Sequence, residues 1–219
     1  MAERYESRHL YLRIVCCIIF PHSKSKEGIC VTTLTKREIL RAFSELASEK
    51  PVDKITVKEI TDNCQISRNT FYYHYQDVYE VLEEYLRLES QRMVERLEKD
   101  LSSCNPEEFI VRGLDSMISH RALFYNLNQS SGSEVKRYMD KAVSVIFERL
   151  VDILSEGIPA TEEDKALISR FYQYAIKGFM MEWLESGEKP PIQRTLHRLN
   201  VIFGDDVTEA LRRSVEQPE

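Results

Sequence analysis

The chain has 219 residues, 42% hydrophobic and 30% charged, which is enough for one or two globular domains with a buried core. Seven Gly and seven Pro favour long helices, and a net charge of -6 argues against bulk electrostatic attraction to polyanions. Five cysteines without a CxxC pair or a zinc pattern indicate a reducing, cytoplasmic environment and no structural metal.

The first 30 residues differ in character from the rest. Residues 10–20, LYLRIVCCIIF, follow two arginines as the apolar part of a signal peptide would. However, the uninterrupted apolar run, residues 14–20, is followed by no small-x-small cleavage site and is far too short to span a bilayer. We therefore expect no membrane association and no folded role for this segment, which could result from the choice of an upstream start codon.

An amphipathic helix is predicted over residues 35–50, where apolar residues recur at i, i+3, i+4, i+7 and i+8. Thr35 is expected to cap this helix, with Glu38 at its third position. Lys36 and Arg37 lie beside its N-terminus and are candidates for phosphate contact, although surface Lys and Arg are usually only solvated.

Residues 55–79, ITVKEITDNCQISRNTFYYHYQDVY, are typical of two short helices joined by a tight turn. Thr56 and Glu59 form a capping box, which predicts a helix beginning at Val57. Ser67 is expected to cap the second helix. The apolar face of that second helix is predicted to consist of Phe71, Tyr75 and Val78.

Side chains suited to DNA occupy the rest of the second helix. Arg can bind the two acceptors of a guanine edge, Asn the adenine edge, and Thr, Tyr and His can donate to phosphate oxygens. The alternative is that the rings only pack, but the three adjacent residues from Tyr72 to His74 cannot all face one core. We predict base contacts for Arg68, Asn69 and Tyr73. The complete predicted DNA-contacting set is Lys36, Arg37, Thr56, Val57, Lys58, Ser67, Arg68, Asn69, Thr70, Tyr72, Tyr73 and His74.

The segment SRNTFYYHY, preceded by VKEITDNCQI, resembles the TetR/AcrR family of one-component transcription regulators. The resemblance begins near Leu34 and implies an all-α fold. Residues 34–80 would form a three-helix DNA-binding domain, residues 104–219 a helical domain for regulation and dimerisation, and residues 1–33 an extension outside the family pattern. It also implies phosphate contacts for Tyr72 and His74.

Two positions depart from the family pattern. The usual turn Gly is Gln65, so the backbone there must manage without easy access to positive φ. The usual Lys at the start of the fourth helix is Val78, which leaves that phosphate contact without its donor. The form CQISRNTFYYH further resembles the branch that includes activators of dihydroxyacetone-kinase operons.

Asp77 is expected to cap a long fourth helix, from Val78 to about Ser102, that connects the DNA-binding region to the rest of the chain. Asn105-Pro106 would end it. Further helices are predicted over residues 106–119, 121–128, 133–156, 161–186, 191–203 and 206–216.

The helix containing residues 166–183 is apolar on more than one stripe, which predicts burial on two sides. One side would pack within its own subunit and the other against a second copy, with Gly178 at a close helix approach. An ordinary central helix of a monomer is the alternative; a helix-turn-helix that reads two half-sites favours the homodimer. The segment YAIKGFMMEWLESGEKP also resembles the penultimate helix of TetR-type regulators, which contributes to their dimer bundle. The interface candidates are Ile176, Phe179, Met180 and Trp183.

The resemblance implies an effector, a small molecule or a protein, that acts on the C-terminal helices. Lining residues and plain core residues look alike in sequence, and the pocket candidates are Phe109, Met117, Phe124, Tyr125, Tyr138 and Tyr174. No cofactor is predicted. The chain has no Gly-rich phosphate loop, GxSxG elbow or HExxH motif, so it is not expected to be an enzyme.

The leading hypothesis is a dimeric regulator that binds double-stranded DNA at a palindromic operator. The second is a TetR-like regulator controlled mainly by a protein partner. A third, a small-molecule binding protein whose DNA surface has decayed, follows from the charge of residues 34–80, where seven Lys and Arg meet eight Asp and Glu.

Overall fold

Long apolar stripes interrupted by few Gly or Pro give a helical chain. The structure, a computed structural model, describes residues 31–100, 120–186, 194, 198 and 207–216. Within these ranges there is no strand, which confirms the all-α fold. The helices are α1 (Val31–Glu49), a short 3-10 turn (Val52–Lys54), α2 (Val57–Cys64), α3 (Arg68–His74), α4 (Val78–Asp100), α5 (Arg121–Gln129), α6 (Ser133–Leu154), α7 (Glu162–Ser186) and α8 (Val207–Glu216).

The last part of the predicted extension, residues 31–33, is helical and belongs to α1, while residues 1–30 lie outside the described ranges. The prediction that Thr35 caps α1 is wrong, because the helix begins at Val31. No Gly or Pro precedes Thr35 within the helix to stop it, and Glu38 accepts a hydrogen bond from Arg41 at 2.9 Å.

A first hydrophobic core joins α1, α2 and α3 to helices that follow much later in the chain. Phe43 and Phe71 are fully buried at its centre. Removing side chains of this size from water contributes about 1.5–3 kcal/mol each. The same cluster includes Leu123 and Leu127 of α5 and Val135 of α6. The three helices of the predicted DNA-binding region therefore share one core with α5 and the beginning of α6.

Three smaller cores organise the rest of the described chain. Leu97 of α4 packs with Phe147 and Leu150 of α6, with Tyr172 and Ile176 of α7 against them. Two further clusters join α7 to α5 and α6 to α8. They consist of Met180, Trp183 and Leu184 against Phe124, and of Val151, Val207 and Leu211.

Unlike α1, other helices begin where the sequence predicts. Asp77 Oδ1 accepts from the N–H groups of Tyr79 at 2.8 Å and Glu80 at 2.9 Å, which confirms it as the cap of α4. Thr161 Oγ1 accepts from Asp164 N–H at 3.1 Å and starts α7. The helices predicted over residues 106–119 and 191–203, and the end of the fourth helix at Ser102, fall outside the residues fully described.

None of the helices in the described part of the chain combines the length and apolar content that crossing a membrane requires.

Candidate nucleic-acid interface

The first turn of α2 is fixed by two reciprocal hydrogen bonds. Glu59 N–H donates to Thr56 Oγ1 at 3.3 Å, and Thr56 N–H donates to Glu59 Oε2 at 3.0 Å. This confirms the predicted capping box. Lys50 also donates to the Glu59 carboxylate, and this bond together with those from Thr56 lowers the pKa of Glu59 to about 2. Glu59 is therefore ionised at neutral pH, and Thr56 remains exposed at the N-terminus of α2.

The turn between α2 and α3 contains a side chain in the left-handed conformation. Gln65 has φ 56° and ψ 41°. Its N–H donates to Asp62 O at 3.3 Å, and the N–H of Ile66 donates to Thr61 O at 3.1 Å. These two bonds form the Schellman arrangement that closes a helix. The turn thus adopts the conformation that glycine favours although no glycine is present, and a non-glycine residue in this region costs about 1–2 kcal/mol.

Helix α3, seven residues long, buries one side and exposes the opposite side. Ser67 Oγ accepts from Thr70 N–H at 3.0 Å, which confirms the predicted cap. Phe71 is fully buried, whereas Tyr72 is 56% exposed and Tyr73 79% exposed. The exposed surface of the helix also includes Arg68 and Asn69.

The end of α3 differs from the predicted apolar face. The helix stops at His74, and Tyr75 is extended with φ -143° and ψ 143°. Tyr75 and Val78 are buried as predicted, but they belong to the turn and to α4 rather than to α3. The physical reason is the Asp77 cap, which starts a new helix and leaves no room for another turn of α3.

A cation lies beside the C-terminal end of α3. Lys36 Nζ donates to Glu84 Oε2 at 3.1 Å and is 5.1 Å from the centroid of the Tyr75 ring. Burial, together with the charge of Lys36, lowers the pKa of His74 below its usual range. Because an ammonium group has three donors, Lys36 can hold Glu84 and still donate to a phosphate.

The other predicted DNA-contacting residues lie in different environments. Lys58 and Ser67 are exposed, and Arg37 and Thr70 are half-buried. Val57 packs against the first core, and its backbone N–H lies in the first turn of α2. Val78 is buried, and the start of α4 therefore presents no cation at this position.

Helix α7 has an exposed apolar face, and the four predicted interface residues lie in different environments. Of the four interface candidates, Met180 and Trp183 are buried within the chain and Ile176 packs against two of its cores. Phe179 is exposed. A Cβ added at Gly178 would meet no atom of the described residues within 4 Å, so no close helix approach to this glycine occurs among them. The large exposed apolar residues of α7 are Leu167, Phe171, Tyr174 and Phe179.

The pocket candidates in the described ranges lie in different environments, although Phe124 and Tyr138 both pack against the first core. Tyr174 is 65% exposed on α7 and Tyr125 is also exposed, whereas Phe124 packs against two cores. Tyr138 lines a shallow cavity of about 40 Å³ beside α4. Ligand sites typically enclose about 300–1,000 Å³, so this cavity is far too small for one. Phe109 and Met117 lie outside the described ranges.

Sequence reasoning missed two features of these surfaces. Glu84 holds Lys36 from 48 positions away, and no local pattern predicts such a pair. Leu167, Phe171, Tyr174 and Gly178 follow one another at i, i+4, i+7 and i+11, and this spacing was a usable signal for one face of α7. Among the described residues, no group of His, Cys, Asp or Glu could hold a metal ion.

Two family models match the chain. Residues 39–85 match the model described as bacterial regulatory proteins, tetR family, and residues 104–205 match that of a transcriptional regulator C-terminal region. A search of curated proteins finds no match.

Solved structures of regulators are similar in fold. A tetR-family transcriptional regulator from Streptomyces coelicolor is 16% identical with a TM-score of 0.60, covering 86% of this chain and 90% of its own. The dihydroxyacetone kinase operon activator DhaS is 14% identical with a TM-score of 0.57, and the match covers 78% of this chain and 95% of DhaS. NalD is the secondary repressor of the MexAB-OprM multidrug efflux pump in Pseudomonas aeruginosa. It is 20% identical with a TM-score of 0.56, and the match covers 79% of this chain and 96% of NalD. At these identities the likeness concerns the fold.

Proposed function

Because the chain belongs to the TetR family of bacterial transcriptional regulators, and so is a DNA-binding regulator and not an enzyme, we propose that it binds a palindromic operator in the cytoplasm as a homodimer. Helix α3 lies in the major groove of each half-site. An effector that acts on the C-terminal helices engages or releases the DNA.

The observation that carries this proposal is the division of α3 into a buried and an exposed side. Phe71 fixes the helix in the first core, while Tyr72 and Tyr73 point away from it. Exposed aromatic side chains of this size are unusual on a surface that contacts only water. The exposed side also carries Arg68 and Asn69, whose donors match guanine and adenine edges. We therefore assign base contacts to Arg68, Asn69 and Tyr73.

Phosphate contacts would set the position of α3 on the duplex. We assign this role to Tyr72 and His74 of α3 and to Thr56, which is exposed at the N-terminus of α2, where backbone N–H groups favour an anion. Lys36, beside His74, supplies a cation that Val78 does not. The remaining proposed contacts are Arg37, Val57 through its backbone, Lys58, Ser67 and Thr70.

The exposed face of α7 supports the homodimer. Phe171 is 66% exposed and Tyr174 65% exposed, and with Leu167 and Phe179 they make one helix unusually apolar on its outer side. A second copy of the same face would cover these residues with two-fold symmetry, as a palindromic site requires. Of the four interface candidates from the sequence, we retain Phe179 and place Ile176 at the margin.

Two classes of effector fit the C-terminal region. A small molecule needs an enclosed site, and the shallow cavity beside α4 is too small to be one. A protein partner needs an exposed surface, and Tyr125 of α5 and Val145 of α6 are large exposed apolar residues outside α7. The partner-controlled regulator therefore remains the second candidate function.

Selection of bound sequences from a random DNA pool tests the central proposal. We expect enrichment of a palindrome whose half-sites are separated by about 10–10.5 base pairs or a multiple of that distance. A variant with Arg68, Asn69 and Tyr73 all changed to Ala is the matched control, because all three side chains are exposed and their loss leaves the core intact. Recovery of no enriched sequence by the parent protein would refute the proposal.

The class of effector is decided separately. Thermal unfolding in the presence of a metabolite library reports small-molecule binding through a raised midpoint. Affinity capture with the operator-bound protein reports a protein partner. A raised midpoint that coincides with operator release would select the small-molecule class.

A further inference from the structure

A polar junction connects the turn after α1 to the linker between α5 and α6. Val52 N–H donates to Ser130 Oγ at 2.9 Å. Asp53 Oδ2 accepts from Ser131 twice, from its N–H at 3.0 Å and from its hydroxyl at 2.7 Å. Asn126 Nδ2 donates to Ala47 O at 3.0 Å, near the end of α1. We call these four hydrogen bonds the 53–131 junction; they join residues nearly 80 positions apart.

The polar groups of the 53–131 junction are matched donor to acceptor. Ser130 uses both of its functions, since its hydroxyl donates to Asn126 O at 2.8 Å and accepts from Val52. The bonds from Ser131 lower the pKa of Asp53, as expected for an ionised carboxylate that accepts two hydrogen bonds from one residue. Ala47 O is one of the last carbonyls of α1, which lack partners inside the helix. Each group on one side therefore meets a complementary group on the other.

The junction lies on the exposed edge of the first core. Beneath it, Leu123 and Leu127 of α5 are buried in the same cluster as Phe43 and Phe71. Non-directional apolar contacts of this kind hold α5 against the DNA-binding helices but tolerate small rotations. Hydrogen bonds are directional, so those at the edge define one angle between α5 and the DNA-binding helices. Because Asp53 and Ser131 are exposed, their bonds add little to overall stability.

The 53–131 junction connects the elements that lead to the recognition helix and to α7. Residues 52–53 lie in the short 3-10 turn between α1 and α2, and α2 packs on α3. Ser131 lies in the linker before α6, the helix that packs against α7. A rotation at the junction would therefore change the angle between the recognition helix and the helix that carries the exposed apolar face. In a two-fold dimer, such a change is doubled in the separation of the two recognition helices.

The geometry points to Asp53 and Ser131 as positioning residues that fix the half-site spacing recognised by the dimer, an inference that rests on the proposed function. Neither residue touches DNA. Their hydrogen bonds hold α3 at one angle to the dimer face, so that only operators of one spacing meet both recognition helices.

Operators with altered spacing test this role. The parent protein binds its selected palindrome, and inserting or deleting one base pair between the half-sites is expected to reduce affinity by about tenfold or more. For Asp53→Ala the same change should cost less than about threefold, with unchanged preference within each half-site. Ser131→Ala leaves the Ser131 N–H in place, so its loss of affinity on altered spacing should lie between those of the parent and of Asp53→Ala. Fluorescence anisotropy with labelled duplexes measures all of them.

Two matched variants separate positioning from stability. Ser131→Thr retains the hydroxyl and should retain the parent's spacing preference. Glu83→Gln removes the exposed Lys141–Glu83 pair at 3.3 Å, which joins α4 to α6 without reaching the turn before α2. It should retain the preference and have a thermal midpoint similar to that of Asp53→Ala. A merely structural role for Asp53 would lower its midpoint and leave the spacing profile unchanged.

The outcomes distinguish this inference from the function on which it rests. A parent protein that selects no palindrome refutes the proposed function, and the positioning role with it. A parent protein that selects one spacing, together with an Asp53→Ala variant of the same selectivity, refutes only the positioning role. Should Asp53→Ala fail to fold, the comparison of Ser131→Ala with Ser131→Thr decides.

Discussion

Two surfaces of this chain expose aromatic side chains, and they are built in opposite ways. On α3, Tyr72 and Tyr73 stand among polar and charged neighbours, and both ends of the short helix are fixed by hydrogen bonds of the local chain. On α7, Phe171 and Tyr174 follow an apolar stripe. Local caps determine the first surface, whereas the second is incomplete until another apolar surface covers it.

The difference shows that exposure of rings alone does not identify a partner. Tyr hydroxyls beside guanidinium and amide donors suit an anionic, hydrogen-bonding surface. Phe and Leu at helical spacing suit burial against a like surface. We accordingly assign DNA to the first surface and a second subunit to the second.

The largest expected effect comes from a charge on the α7 face. Phe171→Glu should convert the dimer to a monomer, because a carboxylate buried in the interface without a partner costs about 3–5 kcal/mol. Operator affinity should then fall by more than about a hundredfold. Sedimentation velocity and anisotropy measure the two changes. Val145→Glu, at an exposed apolar residue of α6, is the control; equal loss in both variants would remove the distinction between the two surfaces.

Substitutions on α3 sharpen the other side of the comparison. Arg68→Ala should reduce discrimination at one base position by about 1–3 kcal/mol. Tyr72→Phe removes one hydroxyl and should weaken binding to all sequences alike, by about 0.5–1.5 kcal/mol. Both can be read from competition assays with single-base operator variants. If both variants bind like the parent, the contact assignment on α3 is wrong.

The turn before α3 offers a smaller effect on stability. Gln65→Gly removes the strain of a left-handed side chain, partly offset by the greater flexibility of glycine in the unfolded chain. We expect the free energy of unfolding to rise by about 0.5–1 kcal/mol, measured by urea denaturation. Gln65→Ala retains the Cβ and should give no gain. A loss of stability in Gln65→Gly would show that the amide side chain, rather than the backbone, closes the turn.

The smallest expected effect is the pH dependence of DNA binding through His74. Its lowered pKa keeps the imidazole neutral in the free protein near pH 7, whereas a phosphate favours the imidazolium form. DNA binding therefore takes up a proton, and affinity should rise a few-fold as pH falls from about 8 to about 5.5. His74→Gln should have a flatter profile. An identical profile in parent and variant would place His74 away from the phosphates.

Short-range signals predicted the helix-turn-helix well. Thr56, Ser67 and Asp77 each accept backbone N–H groups within three residues, so their sequence spacing was sufficient to locate α2, α3 and α4. The beginning of α1 was missed, because Thr35 is a good cap but no helix-breaking residue enforces its use.

Longer-range features escaped prediction for a different reason. Helix α7 carries more than one apolar stripe, so its spacing marks a stripe through Phe171 but does not show that this stripe faces outward while Trp183 faces inward. The pairing of Asp53 with Ser131 depends on the fold of the intervening chain, and nothing in either segment announces the other.

The shared first core limits how this regulator can be dissected. A fragment ending with α4 would leave Phe43 and its neighbours without Leu123, Leu127 and Val135, which cover them in the intact chain. The DNA-binding helices therefore do not form an independent module. Chimeric regulators that transplant it onto a foreign sensor would have to move α5 and the first turns of α6 along with it.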